Sequence, residues 1–541
     1  MLDTVILHTD TDADYAARAA EVLRRGGLAA IPTETVYGLA ANALDAEAVK
    51  RIYIAKGRPS DNPLIVHIAD FDELAPLVQS VPEEAKKLAD AFWPGPLTMI
   101  LPKSDLVPAE TSGGLSTVAV RMPAHPAAQA VIRAAGLPLA APSANISGFP
   151  SPTRAEYVID DLNGRVDLIL DGGDCAVGVE STVITLAEEV PTILRPGGIT
   201  PEQLRTVLGE VKIADAVLHP LKENETAASP GMKYKHYAPL AQISIYTGSE
   251  KGYLRYLQTS QKEGLFALCF EEDAADCPVP CVTMGSKTDS LSQAQRLFDA
   301  LRELDEAGAK TVLAKCPSKN GVGLAVCNRL FRAAAFRFVR EGLILGLTGQ
   351  TGAGKTTVAA LLESQGFAIV DCDAIARKVR SENPQVIRQL CDIFGSDILE
   401  PDGSIAPKQL AHKAFSSAEN TRRLNAVMHP PIIEETQKQA LALSQKGQHC
   451  VIDAPLLFQC SLDKICDWTI AVTAPEEIRI ARIMQRDGID RAAARERLSR
   501  QEPESYYTQK ADFVIPNAPP CDAAKETRHV LERMEAHNAG E

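Results

Sequence analysis

The sequence predicts an α/β protein of three units, on three observations. It is 541 residues long, too long for one core at roughly 150 residues per domain. Short apolar runs of strand length alternate with runs of helical period, the pattern of sheets covered by helices. A stretch without period, 221–240 (LKENETAASPGMKYKHYAPL), breaks that alternation and reads as a linker. The expected units are therefore 1–220, 241–341 and 342–541.

In the first unit, residues 27–31 form a short apolar strand stopped by Pro32. Residues 45–54 put Ala48, Val49, Ile52 and Tyr53 on one helical face, and Gly57 with Pro59 ends that helix. Residues 118–122, 167–170 and 182–186 read as strands. Thr200-Pro201-Glu202-Gln203 is a capping box with proline at the first helical position, so a short helix follows. In the second unit, strands are expected near 243–246, 265–270 and 311–314, with helices over 291–306 and from about 324 to 340. The third opens with the apolar run 343–347, which leads into a glycine-rich turn and a helix. No internal repeat is visible.

Composition is that of a globular chain: 45% hydrophobic, 23% charged, mean hydropathy -0.07. The net charge of -14, from 56 Lys+Arg against 70 Asp+Glu, argues against holding nucleic acid or an anionic membrane by bulk electrostatics. The uncharged stretch 134–153 carries Pro138, Pro142, Pro150 and Pro152 and cannot supply a membrane span. The N-terminus has neither the basic nor the apolar region of a signal peptide. Twelve cysteines without framework spacing predict reduced thiols in a cytoplasmic protein. Cys269, Cys277 and Cys281 fall short of the four paired ligands a zinc site wants.

Residues 349–356 (GQTGAGKT) match G-x-x-x-x-G-K-[ST]. Glycines let backbone N–H groups converge on phosphate oxygens, Lys355 reaches the outer phosphates, and the Thr356 hydroxyl suits Mg²⁺. Gly352, Ala353, Gly354 and Thr357 complete the expected ATP loop. The loop follows a strand and opens a helix, which is the context the motif requires. Asp371 and Asp373 end the next strand, where a carboxylate could orient an acceptor hydroxyl or take its proton, and Asp453 ends another, where it suits the water on Mg²⁺. Either position also suits a helix cap. The segment 477–501 carries Arg479, Arg482, Arg486, Arg491, Arg495, Arg497 and Arg500: a solvated helix face, or a lid that closes on phosphates.

These pieces, with Asp402-Gly403, Leu424-Asn425, His429-Pro430, Pro455-Leu456-Leu457-Phe458, Arg486-Asp487 and Ala511-Asp512-Phe513-Val514-Ile515 before Asn517, resemble dephospho-CoA kinase over residues 343–540. The resemblance implies a P-loop domain with a parallel sheet and a helical lid, transferring the γ-phosphate of ATP to the 3′-hydroxyl of dephospho-CoA. It makes Asp373 the base and places Arg482 and Arg486 in the lid. Two positions depart from the family pattern. Its arginine after Asp-Gly is absent, with Pro407-Lys408 nearby, and its acid after Pro-Leu-Leu-Phe is Gln459. A lysine point charge does not reproduce a bidentate guanidinium.

In the first unit, Lys56 and Arg58 flank the end of a helix, and Asn62 and His67 follow. Arg121 ends a strand, and Ser143, Asn145 and Ser181 stand at the edges of apolar runs. Cations with hydroxyls and amides at strand ends suit a phosphate or carboxylate ligand. Singly, each has a plainer reading: helix-end complementation for the cations, a satisfied core group for His67, turn formation for the serines. Together, the segments 31–40, 56–67, 92–96, 118–123, 142–147, 178–181 and 194–197 resemble the YrdC-like threonylcarbamoyl-AMP synthases. The blocks 229–239 and 321–334 match the long form, over about 5–340.

That resemblance implies a twisted open α/β domain, a small Rossmann-like domain, and condensation of L-threonine, bicarbonate and ATP to threonylcarbamoyl-adenylate and pyrophosphate. The product would pass to the machinery that forms N6-threonylcarbamoyladenosine in tRNA. By position, Lys56, Arg58, Ser143 and Asn145 are catalytic. Thr35, His67, Arg121 and Ser181 hold threonine, and Arg58, Asn62, Thr117, Ser143, Ser151, Arg195 and Tyr237 hold ATP, with Mg²⁺ on the triphosphate. The expected protein is thus a cytoplasmic bifunctional enzyme, free of membrane and of bulk nucleic acid, with a kinase core that needs nothing upstream of Glu341. Its rivals are an RNA-binding first unit, a kinase impaired in acceptor binding, and a kinase for another small metabolite.

Overall fold

The structure is a computed structural model and describes residues 2–220 and 237–539. The expected linker, 221–240, lies outside the described residues except for its last four. The chain divides into two compact units: Met1–Tyr246 with Ser260–Val339, and Thr247–Thr259 with Arg340–Glu541.

The larger unit holds an eleven-stranded mixed sheet. Its strands lie in the order Val5–His8, Leu168–Asp171, Ala29–Ile31, Gly38–Asn42, Leu139–Ala140, Ile65–His67, Thr117–Arg121, Leu97–Pro102, Thr182–Thr185, Thr192–Arg195, Lys212–Ile213. Ile65–His67 runs parallel to Thr117–Arg121 with His67 opposite Arg121, so these two side chains are delivered to one end of the sheet. Asp45 caps the helix Ala46–Lys56 by accepting from Glu47 N and Ala48 N, and Gly57 closes it at φ 62°. That left-handed residue, cheap only for glycine, turns the chain so that Lys56 and Arg58 both point inward. The capping box at Thr200 is formed as the sequence requires, and the helix is Pro201–Leu208.

The same unit contains most of a five-stranded sheet in the order Cys281–Thr283, Leu265–Cys269, Thr311–Lys315, Gln242–Thr247, Phe338–Arg340. The long helix Ser290–Glu306 and the buried helix Gly323–Ala333 accompany it. The closing helix expected to reach 340 stops at Ala333. Ala335 and Phe336 take left-handed backbone (φ 49° and 55°), and the chain reverses so that Phe338 packs edge-on against Phe331, centroids 5.0 Å apart. An apolar, alanine-rich sequence favours helix locally, but packing Phe338 against the core favours the reversal.

The smaller unit is a parallel sheet, ordered Ala368–Asp371, Cys450–Asp453, Ile344–Thr348, Trp468–Thr473, Phe513–Pro516. Strand Ile344–Thr348 feeds the glycine loop, and the helix Lys355–Ser364 follows. Helices Glu476–Asp487 and Arg491–Ser499 have a small core of their own, Ile480, Ile483, Ala494 and Leu498, apart from the sheet cores. The segment Thr247–Thr259, which the sequence assigns to the second unit, groups here for an electrostatic reason. Asp467, 3% exposed, accepts from Ser249 Oγ at 2.5 Å, Arg255 Nη1 at 3.0 Å and Ile344 N at 2.7 Å. A buried carboxylate requires such donors, and two of them come from almost ninety residues or more upstream of the first strand of this sheet.

Candidate active sites

One cavity of the larger unit is lined by Thr35, Lys56, Arg58, His67, Arg121, Ser143, Asn145, Ser151, Ser181, Arg195 and Tyr237. Eleven of the thirteen residues expected in this unit therefore share one pocket. Asn62 and Thr117 are not in its lining: Asn62 lies beside Arg58, whose Nη2 donates to its carbonyl at 3.4 Å, and Thr117 opens the strand that Arg121 ends.

Lys56 is 1% exposed. Its Nζ donates to the Ser143 carbonyl, to Asn145 O at 2.6 Å and to Asn145 Oδ1 at 3.3 Å, so all three donors are committed. Burial, then the charge of Arg58, pulls the Lys56 ammonium well below its usual value. Burial likewise draws Arg58 down to about 10. Among the described residues, Arg58 Nε and Asn62 Nδ2 are buried donors without a hydrogen-bond partner. Such groups are costly unless a ligand accepts from them.

At the other end, Arg121 Nη1 donates to Thr35 Oγ1 at 2.9 Å, and Arg121 Nη2 lies 2.7 Å from Glu34 Oε1. Burial pushes the Glu34 carboxyl up, but the Arg121 charge and hydrogen bond, helped by backbone donors, hold it below its ordinary value. His67 is pushed down to about 3, first by burial and then by Arg121, and its Nδ1 lies 3.3 Å from Ile65 O. It is a neutral imidazole at physiological pH. Arg195 Nη2 and Thr98 Oγ1 lie 3.2 and 2.7 Å from Ser181 Oγ.

Two acids were missed in the sequence, Glu34 and Glu180. Both sit inside quoted motifs, between residues that looked more reactive, and no local pattern marks an acid as buried. Glu180 accepts from Ser151 Oγ at 2.6 Å and Arg329 Nε at 2.7 Å. Burial raises its carboxyl, but Arg329 and Arg195 outweigh that and bring it to about 2.

In the smaller unit, Lys355 pairs with Asp453 across the loop. Gly354 sits at φ 94°, and a Cβ there would meet Asn517 Nδ2 at 2.0 Å, so only glycine fits. Asn517 Nδ2 donates to Ala353 O at 3.0 Å. Arg482 donates to Gly352 O and Ala353 O at 3.2 and 3.1 Å, placing it on the loop, whereas Arg486 is turned to Asp487 at 2.8 Å. Thr356 and Thr357 are exposed in the first helical turn. Asp371 is the helix cap, accepting from Asp373 N and Ala374 N at 2.8 and 3.0 Å. Asp373 is exposed in the first helical turn. Gln350, Arg479 and Gln501 also brace the loop: Arg479 donates to Gln350 Oε1, and Gln501 Oε1 accepts from Thr351 N at 2.9 Å. The sequence offered only the arginine run as a sign of this.

Family models match in order along the chain: Sua5/YciO/YrdC, described as telomere recombination, over 21–197; the threonylcarbamoyl-AMP synthase C-terminal domain over 199–335; and dephospho-CoA kinase over 343–522. The Bacillus subtilis threonylcarbamoyl-AMP synthase is 49% identical over 61% of this chain and 96% of its own length. A Corynebacterium efficiens dephospho-CoA kinase is 39% identical over 33% of this chain and 90% of its own. The crystal structure of Pyrococcus abyssi Sua5 complexed with L-threonine superposes with a TM-score of 0.58 and 46% identity, covering 62% of this chain and 98% of that one. The chain therefore belongs to two enzyme families at once, the threonylcarbamoyl-AMP synthases over its N-terminal three-fifths and the dephospho-CoA kinases over the remainder.

Proposed function

We propose that the larger unit condenses L-threonine, bicarbonate and ATP to threonylcarbamoyl-adenylate and pyrophosphate, and that the smaller phosphorylates the 3′-hydroxyl of dephospho-CoA with ATP. The observation that carries the first reading is a pair of unpartnered buried donors, Arg58 Nε in the pocket lining and Asn62 Nδ2 beside it, next to a fully committed Lys56. These fit a polyphosphate. Arg58 donates to the phosphoryl group as charge develops at the α-phosphate. Lys56 ties down the Ser143–Asn145 turn, an arrangement that needs no reorganisation in the transition state. The neutral His67, Thr35, Arg121 and Ser181 are the threonine end, where Arg121 suits the carboxylate. Arg195, Ser151, Thr117 and Tyr237 are assigned to ATP.

In the kinase, Lys355 exchanges Asp453 for the outer phosphates of the incoming nucleotide. Because Asp371 is spent on the helix cap, Asp373 is the carboxylate left to receive the 3′-hydroxyl proton. Thr356 and the released Asp453 are hard oxygen donors that would hold Mg²⁺, directly or through its waters, and Mg²⁺ when bound neutralises the β- and γ-phosphates. Arg482 and Arg486 form the lid. The adenylate passes to the enzymes that modify tRNA. Twelve free cysteines support a reducing, cytoplasmic setting; among the described residues no helix is long and apolar enough to cross a membrane.

Neither an RNA-binding first unit nor an impaired kinase is favoured, since both parts match enzymes over nearly their full length. The test is ATP consumption by the full chain with each substrate set alone. Pyrophosphate must require threonine and bicarbonate together, and ADP must require dephospho-CoA. Pyrophosphate release without threonine, or no ADP with dephospho-CoA, would refute the corresponding half.

A further inference from the structure

The segment carrying Ser151 is held from outside the synthase domain. Arg302 Nη2 donates to Pro150 O at 2.8 Å and Thr153 Oγ1 donates to Asp299 Oδ1 at 2.5 Å, both from the long helix Ser290–Glu306. Arg329, on the helix Gly323–Ala333, is 0% exposed. It gives Nε to Glu180 Oε2 at 2.7 Å and Nη1 to Pro196 O at 2.8 Å, and its guanidinium lies 5.7 Å from the Tyr237 ring centroid.

We propose that Arg329 is a positioning residue of the nucleotide pocket: by fixing the Glu180 carboxylate it makes Ser151 a hydrogen-bond acceptor toward the bound nucleotide. This rests on the assignment of Ser151 to ATP. An ionised carboxylate can only accept, so the 2.6 Å contact takes the single proton of Ser151 Oγ. Lone pairs alone are left for the ligand. Ser151 therefore reads a donor on the nucleotide, a ribose hydroxyl or the exocyclic amine, and not a phosphate oxygen. Arg329 holds Oε2 and keeps the carboxylate charged in a place where burial alone would neutralise it. The accessory domain thereby completes the synthase site.

The test uses the full chain, with threonine binding measured by calorimetry as proof that the larger unit is folded. Arg329→Ala should raise KM for ATP roughly tenfold or more, the effect of one hydrogen bond to a charged group, with a smaller change in kcat and unchanged threonine affinity. Arg329→Lys should restore part of the loss. Ser151→Ala with Arg329→Ala should be no worse than Ser151→Ala within about twofold, because linked residues are not additive. Should Arg329→Ala not fold, Glu180→Gln, nearly isosteric, must raise KM for ATP in the same way. Wild type should discriminate against one of 2′-deoxy-ATP, 3′-deoxy-ATP and inosine triphosphate, and Ser151→Ala should lose that discrimination, which identifies the donor.

An unchanged KM for ATP in a threonine-binding Arg329→Ala protein, additive effects in the double variant, or analogue selectivity intact in Ser151→Ala would overturn the proposal. A wild-type protein that releases no pyrophosphate would instead sink the synthase reading itself.

Discussion

Arg255→Ala should destabilise the kinase unit by about 3 kcal/mol, although Arg255 precedes the first strand of the kinase sheet by almost ninety residues. The side chains of Arg255 and Asp467 are 10% and 2% exposed, so solvent screening takes little from the pair. Removing one partner of a buried ion pair costs about 3–5 kcal/mol, because the other charge is stranded. Asp467 would keep Ser249 Oγ and Ile344 N, which argues for the low end of that range. The hydrogen bond from Arg255 to Ile465 O, 3.0 Å, goes as well. Trp468, next to Asp467, reports the transition: its fluorescence in a urea titration, read in a Trp93→Phe background, isolates the kinase unit. A loss under about 1 kcal/mol would show that the segment Thr247–Thr259 merely rests on the kinase. At the predicted size, a fragment beginning at Glu341 loses both Ser249 and Arg255 and should be less stable still, against the sequence expectation of a self-sufficient kinase core.

Lys355→Ala should abolish dephospho-CoA phosphorylation and leave pyrophosphate release near wild type, since the two sites share no residue; parallel assays on one preparation decide it. Arg58→Ala should cut adenylate synthesis by a factor on the order of 10² to 10³, and unchanged turnover would demote Arg58 to a helix-end charge. The larger unit should lose stability on acidification. His67, lowered from 6.5 to about 3, and Glu180, lowered from 4.5 to about 2, both bind fewer protons folded than unfolded, so the loss begins as pH falls through 6.5 and deepens below 4.5. Melting the His67→Gln protein across that range should remove the first part of the slope. The Cys277 thiol is lowered to about 6, chiefly by its hydrogen bond with Cys269, whereas burial raises Cys281; iodoacetamide at pH 7 should therefore label Cys277 well before Cys281, as peptide mass spectrometry would show.

What the sequence determined by itself was everything that depends on local spacing. The glycine loop at 349–356, the capping box at Thr200 and the Gly57 helix end are contiguous, and backbone sterics and dipoles act within a few residues. The threonylcarbamoyl-AMP synthase and dephospho-CoA kinase assignments followed from such motifs. The gathering of Arg121, Ser143 and Arg195 in one pocket follows from strands and the loops after them, with Lys56 and Arg58 added from the helix end at Gly57. Long-range packing and burial were decided by the tertiary structure alone. The helix expected to run to 340 stops at Ala333 because Phe338 finds Phe331, a contact that no period encodes. Glu180 and Arg329 are 149 positions apart, and neither residue's surroundings in the chain mark it as buried. A charge can stay in the interior only where a partner meets it, and that partner is chosen by the fold: Arg329 for Glu180 in the synthase pocket, Arg255 for Asp467 just before the kinase strand Trp468–Thr473.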